Sequence, residues 1–379
     1  MKTIITTVGT SIFTNLIKDG KKDSITKDIR DLYEHLKDKR FSKWDADDIE
    51  DGKGGRKGLR SLVKEAIKNL NNDASAEIKS IIKIANGEQV IVHLLATDSV
   101  LSVLAAEIIK DWFKDEQTVH FTNSYGRDII ENLQVDNLVD FKVGLTNFVT
   151  RFYTILGQNE SKDFILNITG GYKALIPFMT ILGQVNRIDI RYIFEDTEGV
   201  LEIPRLPLKR DDELFEKYFD VFAKLDKDVF LKEHEYYDFV NEAESCLERL
   251  NGDFSLNSLG IAFWESYKKQ SFNFFCSDDV WKAYEEQRSI QHYIMQTFRF
   301  DEQRSKYNVC EDSHKTVCKK FRDTIRIYWF YNNDKIYIYK AFEDYDAHIR
   351  YINAVKFSES FKNEVIKNSK SRKIKIENV

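Results

Sequence analysis

Apolar positions along this chain follow two periods. Thr3–Val8 is almost wholly β-branched, Val90–Leu95 is an apolar run with His93 inside it, and Phe164–Ile168 is a third such run. Short apolar runs bounded by small polar residues predict strands buried on both faces. After the second run, Leu101, Leu104, Ala105, Ile108 and Trp112 recur on one helical face, and after the third an apolar segment restarts at helical spacing. Ile188–Phe194 reads as a further strand. Strands alternating with helices predict an α/β fold around a parallel sheet.

Each of the first three runs stops in a small polar cluster. These are Gly9–Thr10–Ser11, Thr97–Asp98–Ser99, and the longer Asn167–Ile168–Thr169–Gly170–Gly171–Tyr172–Lys173. In an open parallel sheet the carboxyl ends of the strands share one edge, so the clusters are expected to converge on one crevice. Helix N-termini leave N–H groups unpaired and favour anions, and Lys173 adds a cation to the third cluster. Helix capping by Thr97 or Asp98, and turn formation by Ser11, are the plain structural alternatives.

Pro204 and Pro207 close this region. Inside it, 41–56 reads as a polar insertion before a helix from Leu59 to Leu70. From Asp211 to Arg249 a helical stripe of Leu214, Tyr218, Phe219, Phe222 and Leu225 is expected. A Gly-containing ribbon at 250–260 and a helix through Trp264 and Tyr267 follow it. That order is similar to a winged helix-turn-helix, a fold that serves both DNA reading and dimer contacts. Further on, Phe272–Phe275 reads as a strand and Asp279 onward as a helix. A hairpin is predicted from Thr324–Tyr331 and Lys335–Phe342, with Asn332–Asn333–Asp334 as its turn. Alternation puts Arg326 and Tyr328 on one face, beside Lys315, Lys319, Lys320 and Arg322. Cations for phosphates and aromatics for bases make an RNA surface, with a half-exposed hairpin carrying a snorkelling arginine as the alternative.

Charge sharpens the division. The chain of 379 residues has a net charge of −5, yet residues 312–379 hold 15 Lys and Arg against 9 Asp and Glu. That tail is at +6 and the preceding part at −11, so nucleic acid is expected to meet the C-terminal part. Cys246, Cys276, Cys310 and Cys318 form no CxxC pair, so no zinc site or disulfide framework is indicated and no metal is expected. No run of 18 apolar residues and no basic-then-apolar leader occurs, so a cytoplasmic protein without membrane contact is expected.

Two family resemblances rest on these residues. Val8–Gly9–Thr10–Ser11, Leu94–Leu95–Ala96–Thr97–Asp98 and Asn167–Lys173 resemble the signatures of CARF domains, the Rossmann-like sensors of CRISPR-associated ancillary proteins. The resemblance implies that residues 1–205 form a homodimeric sensor for a cyclic oligoadenylate, cyclic tetra-adenylate in preference to the hexa-adenylate. Gly9, Thr10, Ser11, Thr97, Asp98, Asn167, Thr169, Gly170, Gly171 and Lys173 would bind it, with no other cofactor. Ring-nuclease activity in that domain is left open. Residues 206–270 would be a winged-helix-like connector.

The hairpin in residues 271–379 resembles the RelE/HigB superfamily of small α+β ribonucleases. It implies metal-independent cleavage of mRNA on the ribosome, with Arg326 as phosphate clamp, Lys319 and Lys320 upstream, and Tyr328 or His348 for proton transfer. The motif of HEPN ribonucleases, an Arg and a His with four to six residues between them, is not met. Arg288 and His292 come nearest, with only three residues between them. A messenger-gated transcription regulator without nuclease activity is the competing expectation.

Overall fold

The computed structural model describes residues 1–18, 24–52, 57–68, 73–134, 137–157, 161–194, 199–207, 211–227, 229–299, 304, 308–311, 314–317, 325–332 and 335–375. It divides into two compact units, Met1–Ser266 and Tyr267–Val379.

The first unit is built on β1 (Thr3–Val8), β2 (Ile91–Thr97), β3 (Thr118–His120), β4 (Ile129–Ile130), β5 (Phe164–Asn167), β6 (Asp189–Tyr192) and β7 (Leu201–Ile203). Their order is β3-β2-β1-β5-β6-β7, with β4 also beside β2. β1 lies parallel between β2 and β5, and only the β6–β7 pair is antiparallel. The central strands β1, β2 and β5 are almost wholly buried because helices cover both faces. Ile4, Val8, Val92, Leu94 and Ala96 pack against the helices Leu59–Ile67, Ala76–Ala85 and Val100–Trp112. Ile5, Leu95 and Leu166 pack against Leu138–Leu156 and Ile176–Val185. The expected 41–56 insertion contains a 3₁₀ turn at Phe41–Lys43 and a short helix at Ala46–Ile49. Ile188–Phe194 shortens to β6, and β7 adds an antiparallel edge before Pro204.

His93, on β2, stacks on His120 of β3 with ring centroids 4.8 Å apart. Burial, and then the neighbouring imidazole, push His93 down to about 4. Its folded pKa is therefore below the value of about 6.5 for the unfolded chain, and the unfolded state binds more protons between the two. Stability is expected to be full above pH 6.5 and to fall progressively toward pH 4. His93→Gln should flatten that slope in urea titrations, and an unchanged slope would show that another group titrates there.

Residues 206–266 do not form a separate body. The helices Asp212–Lys217, Phe219–Leu225 and Tyr237–Glu242 surround a small antiparallel sheet of β8 (Leu231–Lys232), β9 (Leu247–Leu250) and β10 (Asp253–Leu256), in the order β8-β10-β9. Asn251 and Gly252 turn the β9–β10 hairpin at φ +54° and +82°, both left-handed as a two-residue hairpin turn of this hand requires. Phe222 stacks on Trp264 and Phe215 lies tilted against it, while Phe239 meets Phe222 edge-on; Trp264 is 1% exposed. The Tyr153 hydroxyl donates to the Ala262 carbonyl at 2.6 Å, tying this cluster to the helix Leu138–Leu156 that packs on the main sheet. Immediately before the hairpin stands the acidic three-residue turn Glu244–Cys246.

The second unit is a six-stranded sheet: β11 (Ser271–Cys276), β12 (Asn308–Glu311), β13 (His314–Val317), β14 (Arg326–Asn332), β15 (Lys335–Phe342) and β16 (Lys370–Lys375). The order is β12-β13-β14-β15-β11-β16, and only β11 and β15 run parallel. On one face Ile327, Trp329 and Ile338 pack with Val280, Tyr284 and Ile290 of the helices Asp278–Glu286 and Arg288–Tyr293. On the other, Tyr328, Phe330, Tyr337 and Tyr339 meet Tyr351, Phe357 and Phe361 from the helices Tyr345–Ala354 and Glu359–Asn368 and their link.

Candidate functional site

The first candidate site lies at the carboxyl edge of the main sheet. β2, β1 and β5 are consecutive there, so their three terminal clusters adjoin as expected. How those residues are used departs from the expectation. The N–H groups of Gly9 and Gly171 both donate to Glu77 Oε1 at 2.9 Å, and the Ser11 hydroxyl donates to Glu77 Oε2 at 2.5 Å. Glu77, in the first turn of Ala76–Ala85, is 1% exposed. The donors read as a cradle for a ligand anion are thus filled by a carboxylate of the protein. Sequence reasoning missed Glu77, because an acid after the N-cap Ser75 is an ordinary first-turn residue.

Several other predicted ligand contacts are structural. Asp98 accepts from the Tyr125 hydroxyl at 2.7 Å and from the Asn132 N–H at 3.3 Å, while its carbonyl accepts from Gln134. Burial and then the bond to Asp98 push the Tyr125 phenol above its usual range. Thr97 pairs its hydroxyl with Ser99, whose Oγ caps the following helix at the Ser102 N–H. Asn167 donates to Ser80 at 2.6 Å and accepts from the Thr169 N–H, and the Thr169 hydroxyl accepts from the Ile193 N–H. Thr97, Asp98, Asn167 and Gly170 are all buried. A buried polar side chain must be hydrogen-bonded, so these turns satisfy themselves before any ligand arrives. Thr10, partly exposed, and Lys173, exposed, remain on the open side. Lys173 begins a 3₁₀ turn, Lys173–Leu175, that leads into Ile176–Val185. Among the described residues it pairs with no carboxylate.

The second candidate site lies at the Arg326 end of β14. Arg326 is 4% exposed, and its guanidinium carbon sits 5.9 Å from the centre of the Tyr345 ring. The His348 ring meets the same tyrosine edge-on, with centroids 4.6 Å apart. His348 is buried, whereas Tyr345 is 50% exposed. The three therefore form one group, in which Tyr345 is the member facing solvent. Tyr328 does not belong to it. It is 0% exposed and packs among Tyr339, Phe342 and Tyr351, where burial pushes Tyr351 up to about 12. The expected open Arg–Tyr face is closed because two C-terminal helices bury their aromatic residues on it. Lys319, Lys320 and Arg322 lie outside the described residues. Among the described residues no group of His, Cys, Asp or Glu is arranged to hold a metal, and no helix is long and apolar enough to cross a membrane.

Residues 72–206 match the family described as "CRISPR-associated protein (Cas_APE2256)". That stretch holds less than half of the chain, and includes Glu77, the Thr97–Asp98 turn and the Asn167–Lys173 turn. Among solved structures, Can2 from Sulfobacillus thermosulfidooxidans in complex with cyclic tetra-adenylate aligns over 97% of this chain and 94% of its own, at 10% identity and a TM-score of 0.24. A superposition at that score does not establish a shared fold.

Proposed function

We propose that this chain is a CRISPR-associated RNA endonuclease switched by a cyclic oligoadenylate. The observation that carries the sensing half is the convergence of the β1, β2 and β5 turns on one sheet edge, largely within the stretch that matches a CRISPR-associated family. Lys173 and Thr10 meet ligand phosphates and hydroxyls there, in a site completed by a second copy of the chain. A tetra-adenylate ring is the expected messenger, and its differential affinity for two states of the dimer is what moves the effector.

The cutting half rests on the Arg326–Tyr345–His348 group. In a metal-independent cut the ribose 2′-oxygen attacks the adjacent phosphorus and the bond from phosphorus to the 5′-oxygen breaks. The products are a 2′,3′-cyclic phosphate and a free 5′-hydroxyl. One proton leaves the 2′-hydroxyl and one reaches the 5′-oxygen. Arg326 neutralises charge building on the non-bridging oxygens, a two-point contact suited to its planar fork. Tyr345, ringed by Arg326 and His348, reaches the moving proton, and His348 holds the phenol from behind. Because Tyr345 lies over Arg326, the phosphate reaches the guanidinium only as the ring turns aside. Ribosome-bound mRNA is the proposed substrate, and the cytoplasm the proposed compartment.

The test is toeprinting of mRNA in a purified translation system, with and without cyclic tetra-adenylate. New messenger-dependent ends at ribosome-occupied positions are expected. Tight messenger binding without cleavage of any RNA, with either ring size, would remove the effector half.

A further inference from the structure

We propose that Glu77 is the positioning residue of the messenger site, locking the β1 and β5 turns into one geometry; this rests on the reading of those turns as the site of an anionic ligand. Its carboxylate is an acceptor shared by both turns. Gly9 N–H from the first and Gly171 N–H from the second converge on Oε1, each at 2.9 Å. Ser11 donates to Oε2 at 2.5 Å and accepts the Ala76 N–H at 3.1 Å, closing a ring that includes the helix bearing Glu77. Hydrogen bonds from neutral donors to a carboxylate are stronger than neutral pairs, and a buried one left unfilled is costly.

The glycines are shaped around this arrangement. A Cβ on Gly170 would lie 2.5 Å from Glu77 Cγ and 2.6 Å from its Cδ and Oε1. A Cβ on Gly9 would approach the Gly171 Cα to 3.1 Å. The two turns thus touch, with Glu77 beneath both and Gly170 sealing it in. A ligand phosphate cannot take the Gly9 and Gly171 N–H groups without expelling an enclosed carboxylate. The phosphate is therefore left to Thr10 and Lys173, whose spacing Glu77 sets. The carboxylate is a fixed support for these turns, not a rival of the ligand.

The experiment pairs amide hydrogen exchange on the full chain without ligand with equilibrium binding of cyclic tetra-adenylate. Glu77→Ala is expected to speed exchange in the peptides carrying both Gly9 and Gly171, and to weaken binding by about tenfold or more. Glu77→Gln keeps an acceptor toward the two N–H groups and should stay within about threefold of the unsubstituted protein. Gly170→Ala, which crowds the carboxyl while leaving Glu77 in place, should reproduce the Glu77→Ala pattern. The double change should be no worse than either single one. Unchanged exchange in Glu77→Ala, loosening of one turn alone, or tighter binding by either Glu77 variant would overturn the proposal. Absence of binding by the unsubstituted protein would instead sink the messenger reading, with the exchange data still deciding whether Glu77 holds both turns.

Discussion

Arg326→Ala is expected to lower RNA cleavage by a factor on the order of a hundred to a thousand, the usual cost of removing a group that stabilises transition-state charge. Messenger affinity should be unchanged, since Arg326 lies in the unit beginning at Tyr267 and the messenger turns lie in the other. Loss of packing is a competing cause, because the side chain is 4% exposed and stands over Tyr345. Arg326→Lys separates the two. It keeps the charge and most of the aliphatic stem but loses the planar fork. If the fork grips phosphate, Arg326→Lys melts near the unsubstituted protein yet still loses most of its cleavage. Full activity in Arg326→Ala would show that the cut is made elsewhere. Restored activity in Arg326→Lys would reduce the role to one of charge.

Gly171→Ala should produce the largest loss of stability in the first unit. Gly171 has φ +84°, a region that residues with a Cβ enter at a cost. The added methyl would also lie 2.1 Å from Thr7 Oγ1 and 2.9 Å from the Thr7 carbonyl carbon. Thr7 cannot retreat, being 1% exposed with its hydroxyl bonded to the Gly170 carbonyl. Strain and overpacking together are expected to cost about 3 kcal/mol. For a unit of this size that lowers Tm by roughly 6–12 °C. Thermal unfolding resolved by peptide hydrogen exchange should show the shift in residues 1–266 alone. Cyclic tetra-adenylate binding should fall with it, because the same turn carries Lys173 and one of the Glu77 bonds. A Tm change below about 2 °C would mean that the turn relaxes freely.

The parallel sheet and the adjacency of its three polar turns were legible because both follow from local rules. β-Branched runs have one comfortable backbone, and strands separated by helices must run parallel with their ends on one edge. The β14–β15 hairpin was legible for the same reason, its alternation placing Ile327 and Trp329 on one face and Tyr328 on the other, although the pairing with β15 slips between Tyr328 and Trp329.

What the letters could not carry was how those positions are spent. Asn167 and Asp98 look identical whether they await a ligand or hold Ser80 and Tyr125, since the partner is far away in sequence. Glu77 looks like a solvated helix-start acid until the folded chain brings Gly9 and Gly171 to it across 68 and 94 residues. The face of Tyr328 looked open because alternation says which residues share a side of a strand, but not whether later helices cover it. Sequence thus determined the three runs that end in polar turns, the β14–β15 hairpin and the edge where the turns meet. Tertiary structure alone decided which polar groups those turns leave for a ligand, because a buried donor takes the nearest acceptor the fold supplies, whatever its distance along the chain.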